Sequence, residues 1–171
     1  MKNLNWFLNK KLLLKDETII NIAENYLEKA RNNIITMELL SNSINFRKEL
    51  KLPSEYEPDE WVVIVGYYSM YLAASSVLAK VGYKSKNHSA TIKALEEFFV
   101  EKKMLEKEYL KTLEKIKINK EEILKLDKVK DRREIAQYSV TKETTQQLAT
   151  KTKQDAHMFV DKMEELFDSI E

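Results

Sequence analysis

Between Trp61 and Ala79 the chain carries no charged residue, and the run WVVIVGYYSMYLAASSVLAKVG is apolar on nearly every face of a helix. Such a helix has to be enclosed by neighbours on several sides, so the fold must be built around it. EPDEW announces its start. Pro58 suits a first helical position, and Asp59 and Glu60 complement the positive end of the helix dipole. Gly66, Ala73, Ala74, Ser75 and Ser76 are small enough to let another helix approach closely, and Gly82 serves as a stop. All 171 residues include only two glycines and two prolines, too little turn chemistry for a sheet protein.

The flanking segments supply the neighbours. From Asp16 onward Ile20, Ala23, Leu27, Ala30, Ile34 and Met37 recur at three- and four-residue steps, the mark of a helix facing a core. That pattern dissolves around Ser41 to Asn45, and a polar stretch runs on to Pro53. After the connection YKSKNHS, Ser85 or Asn87 can cap a helix carrying Ala90, Ile92, Leu95, Phe98 and Phe99. A lysine- and glutamate-rich region follows, with Leu105, Tyr109, Leu113 and Ile116 as its stripe. NKEE at Asn119 to Glu122 reads as a capping box where the helix breaks and restarts. The last helix is expected to start near Thr141 and to keep Ala149, Ala156, Phe159, Met163, Phe167 and Ile170 on one face. The fold expected is all-α, an antiparallel up-and-down helical bundle of about five helices spanning residues 17–171. Residues 1–16 are read as a leader segment whose Leu4, Phe7, Leu8 and Leu12 share a helical face; capping the bundle is the favoured role, and binding a membrane surface or a partner is the alternative.

Several functions are excluded by what the chain lacks. With no cysteine there is no disulfide, no thiolate metal site and no cysteine nucleophile. Its two histidines, His88 and His157, have no ligand partner at metal-site spacing, so no metal is expected. His157 reads as a rim residue of the last helix. Two glycines cannot build a phosphate loop, and no nucleophile elbow occurs, so no cofactor is expected either. A net charge of +1 gives no global field to steer a polyanion, and any nucleic-acid contact must be local. Asn5, Asn9, Lys10 and Lys11 interrupt the N-terminus, and no other segment is read as long and apolar enough to cross a bilayer. A soluble cytoplasmic protein without membrane contact is the expectation.

Two places retain chemical interest. The tyrosines of GYYSMY are read as core packing rather than a platform for bases, with Tyr67 and Tyr68 pointing to different faces. His88 falls within the first turn of a helix, where the dipole favours neutral imidazole. Lys84 and Lys86 are close by in sequence to hold a phosphate.

The order of the runs YYSMYLAASSVLAKVGYKSKNHSATIKALEEFF, RREIAQYSV and AHMFVDKMEEL resembles the HEPN-domain family, closest to its small single-domain prokaryotic branch. The matching positions are Tyr67, Tyr68, Ser69 and Met70, then a loop ending at His88, then Arg133, Ala136 and Tyr138. The likeness runs from about Glu17 to the C-terminus. It implies a helical bundle that commonly forms a homodimer. It also implies metal-independent ribonuclease chemistry in active members, often toxins of toxin–antitoxin pairs whose partner is a minimal nucleotidyltransferase. The family signature is an arginine, four to six residues, then a histidine, with two such motifs meeting across a dimer groove.

The chemistry of that pair is simple. Cleaving RNA without metal needs a base or acid near neutrality and a cation for the charge gathering on phosphorus. Here the residue after four intervening positions is Tyr138, and neither Arg132 nor Arg133 reaches a histidine in range. A phenol titrates near pH 10 and is a poor general base, though it can orient a phosphate. On an unbroken helix Arg133 and Tyr138 diverge by about 140°. The reading is a groove of Arg132, Arg133 and Tyr138, with His88, Lys84 and Lys86, that binds RNA or a nucleotide. A weak ribonuclease using Arg133 and His88, and a purely structural helical module, are the alternatives. Tyr138 is also the tyrosine to which a partner nucleotidyltransferase could add AMP.

Overall fold

The computed structural model describes residues 3–117 and 138–170, with only the backbone described for residues 138–144. The leader forms a short helix, α1 (Leu4–Asn9), and a strand, β1 (Leu13–Lys15). A 3-10 turn (Glu17–Ile22) leads into α2 (Ala23–Asn42). Then come α3 (Asp59–Lys80), β2 (Tyr83–Ser85) and α4 (His88–Leu95), which closes in a π turn (Glu96–Val100). The remaining helices are α5 (residues 107–117) and α6 (Tyr138–Asp168).

The charge-free run forms α3, and α2 and α6 both pack along it. Directions follow from the contacts. The Ser69 hydroxyl of α3 donates to the Ala30 carbonyl of α2 at 2.7 Å, while Gly66 faces Met37, so α2 and α3 are antiparallel. Lys162 pairs with Glu106 and the Phe159 ring lies 6.1 Å from that of Tyr109, so α5 and α6 are antiparallel too. Gly66 lies against Thr152 and the Lys80 ammonium sits 4.7 Å over the Phe167 ring, so α3 and α6 run in parallel. That is the relation an up-down-up-down bundle of α2, α3, α5 and α6 requires of its non-consecutive members. The all-α bundle expected from the sequence is the fold observed.

At Gly66 α6 passes close to the α3 backbone. A Cβ there would stand 2.4 Å from Thr152 Cγ2 and 3.1 Å from Met37 Sδ. Ala73, Ala74 and Ser76 are buried as well, whereas Ser75 lies on a half-buried side and bonds back to the Tyr71 carbonyl. That side is less enclosed than the sequence pattern implies: Trp61 is 58% and Tyr68 44% exposed. By length and a mean hydropathy of 1.6, Asp59–Lys80 could cross a membrane, contrary to the expectation that no segment could. Its neighbours are what distinguish it, since 67% of that apolar window is buried against them.

Three details depart from the sequence pattern. Ile20 is 44% exposed and Ile19 buried in its place. The segment is a 3-10 turn, so it does not continue the α-helical face of α2 that the spacing was read as. The last helix is already formed at Tyr138 instead of starting near Thr141. Finally, β1 pairs antiparallel with β2, with Leu13 opposite Ser85 and Lys15 opposite Tyr83. Asp16 and Lys86 extend the ladder by donating to the Gly82 and Leu12 carbonyls at 2.8 Å each. Gly82, at φ +78°, makes the turn that ends α3 and delivers the chain to this ladder.

At the α2–α6 seam, polar groups take over. Arg31 bonds Asp161 Oδ1 at 2.6 Å and also Glu164. Glu38 receives His157 Nε2 and Lys153 Nζ, each at 2.9 Å. Partial burial alone would raise the Glu38 carboxyl. The hydrogen bonds from His157 and Lys153 outweigh that and hold it below the ordinary value of 4.5.

Two stability predictions follow from these contacts. Gly66→Ala should destabilise by about 1–3 kcal/mol, the usual cost of overpacking. Adding Thr152→Ser removes the opposing methyl, so chemical denaturation of the double variant should recover part of the loss. Additive losses would contradict the close approach. A depressed carboxyl stabilises above its unfolded pKa and loses that contribution as pH falls through its folded value. Glu38→Gln should therefore unfold at lower urea than wild type at pH 7, with the gap closing below about pH 4.

Candidate functional site

The local sequence fixes where His88 sits. Asn87 is extended at φ −154° and its side-chain oxygen accepts from the Ala90 amide at 2.8 Å, capping α4. Thr91 Oγ1 reaches both Ser85 Oγ (2.7 Å) and the Asn87 carbonyl (3.1 Å), tying the strap formed by β1 and β2 to the helix start. His88 is thus the first residue of α4 and points inward, at 8% exposure. Its ring stacks on Tyr67 of α3 at 6.0 Å and 28°. Tyr67 in turn stacks on Tyr71 at 6.0 Å and meets Tyr68 edge-on at 5.2 Å. The expected division of the tyrosines is seen here, with Tyr67 buried and Tyr68 exposed.

A cleft of about 560 Å³ opens between α4 and α5, with His88 and Ser89 on its wall and Phe7 of α1 and Leu110 of α5 beside them. Neither Lys84 nor Lys86 lines it. Both lie exposed, on and after β2, outside the cleft that His88 lines. In the same cleft Glu96 bonds Lys93 at 3.0 Å, and Lys107 approaches it at 3.6 Å. The hydrogen bond from Lys93 is the main cause holding the Glu96 carboxyl below its ordinary range, and the same bond raises the Lys93 ammonium.

Arg132 and Arg133 lie outside the described residues, as does the expected break at NKEE. Tyr138 is the first described residue of α6. The other histidine, His157, is half-exposed at the α2–α6 seam and engaged by Glu38, a rim position as expected. Sequence reasoning missed that seam. Its only signal was that Arg31 and Glu38 sit beside the apolar stripe of α2, a position open to neighbouring helices as much as to solvent.

A family model described as the HEPN domain matches residues 36–171, from the middle of α2 to the C-terminus. No curated protein and no solved structure matches the chain.

Proposed function

The chain belongs to the HEPN-domain family, and from that premise we propose that it is an RNA- or nucleotide-binding subunit that has lost the ribonuclease base. Membership itself points to RNA binding or RNA cleavage. The observation that carries the narrower reading concerns the histidines, of which there are two. His88 is buried in the ring stack on Tyr67, and His157 is held by Glu38. At the position of the signature histidine, after Arg133, stands Tyr138. The cations remain and a base poised near neutrality does not.

In this reading Arg132 and Arg133 grip the phosphate, Tyr138 orients it, and Lys84 and Lys86 add exposed charge on the strap. The working unit is a homodimer, and the exposed Trp61 and Tyr68 on the apolar side of α3 are a surface a second copy would cover. A minimal nucleotidyltransferase is the partner, in a toxin–antitoxin-type system of the small prokaryotic branch, with Tyr138 available as an AMP acceptor. The alternative, a weak ribonuclease using Arg133 and His88, requires His88 to leave its stack with Tyr67. The burial of that ring favours binding over cleavage.

One sedimentation titration with single-stranded RNA reads both parts of the proposal. Wild type should run as a dimer and bind. Arg133→Ala should stay dimeric and bind on the order of tenfold more weakly, as expected for one lost charge-assisted contact of about 1.4 kcal/mol. Unchanged RNA affinity in Arg133→Ala would contradict the site, and a monomeric wild type would contradict the assembly.

A further inference from the structure

The cleft between α4 and α5 is built like a ligand site. Its volume of about 560 Å³ is within the range of small-molecule pockets, about 300–1,000 Å³. Phe7, Ile92 and Leu110 give it an apolar floor drawn from three helices. Above that floor stand Lys93, Lys107, Lys111 and Lys117, against Glu96 and Glu114, an excess of two positive charges among the described residues.

The cations differ in how firmly they are engaged. Lys93 and Lys107 converge on Glu96, at 3.0 and 3.6 Å. Lys111 pairs instead with Glu108, which does not line the cleft, and both side chains of that pair are mostly exposed. An exposed pair of this kind is worth little, so Lys111 can exchange it for a ligand anion at small cost. The α4–α5 hairpin is closed by the Lys107–Glu96 contact. At about 1.5 Å per residue, Lys111 and Lys117 therefore lie progressively nearer the His88–Ser89 end.

We propose that this cleft binds a phosphomonoester with an apolar body. The body lies on Phe7, Ile92 and Leu110, and the phosphate is held by Lys111 midway along the cleft. Phosphate suits the charge, because a phosphomonoester carries about −1.5 to −2 near pH 7. This site does not rest on the RNA-binding reading: it uses neither Arg132, Arg133 nor Tyr138.

Trp6 supplies the readout, since its ring centroid is 5.0 Å from that of Phe7. With Trp61→Phe removing the second indole, the fluorescence of the full chain is followed during titration with hexyl phosphate, adenosine 5′-monophosphate and inorganic phosphate. At least one of the two esters should bind saturably, and more than tenfold tighter than inorganic phosphate. Which ester binds tighter tells an aliphatic from a flat body. Lys111→Glu should weaken that binding by tenfold or more, while Lys29→Glu, on an exposed position of α2 outside the cleft, should leave it unchanged. Three results would overturn the proposal: no saturable binding of either ester, inorganic phosphate binding as tightly as the esters, or Lys111→Glu binding like wild type.

Discussion

The passage of α6 across Gly66 is the contact on which the rest of the bundle depends. Thr152 and Met37 both press on the space a side chain would fill there, so α2, α3 and α6 meet at one point. That approach lets a helix without charge from Trp61 to Ala79 bury most of its surface in water-free contact. It also fixes how far α2 and α6 stand apart. At that spacing, the short reach of Glu38 is enough to meet Lys153 and His157 on the facing helix. Apolar packing sets the distance, and the seam of ion pairs fits within it.

The same packing decides what becomes of the chemistry. Tyr67 enters the core from α3 and offers its face to the first residue of α4, so His88 is stacked before any ligand arrives. A histidine in that position serves the joint between α3 and α4. The strap of β1 and β2 closes over the same joint, carrying Lys84 and Lys86 outward, and α1 brings Phe7 to the α4–α5 cleft.

How much of this was legible depended on whether a residue's fate is local. Ala23, Leu27, Ala30, Ile34 and Met37 are all buried, because a regular helix repeats its face every turn and the sequence shows that period. Ile20 went astray where the backbone tightens into a 3-10 turn, which no apolar spacing announces. The strap was illegible because three-residue strands exist only through their partner, some 70 residues away. The burial of His88 was hidden for a like reason, as it depends on Tyr67 one helix earlier. Arg133 and Tyr138 were singled out through the order of motifs that resembles the HEPN family. The match to its model over residues 36–171 supports the family, and the roles given to those two residues remain the proposal made above.

The central claim is that this chain keeps the cations of a metal-independent ribonuclease and lacks its base. It is tested most directly by incubating wild-type protein in excess over end-labelled RNA in EDTA, then separating the RNA by length. The account predicts bound RNA recovered at full length. Cleavage that disappears in His88→Ala would contradict it.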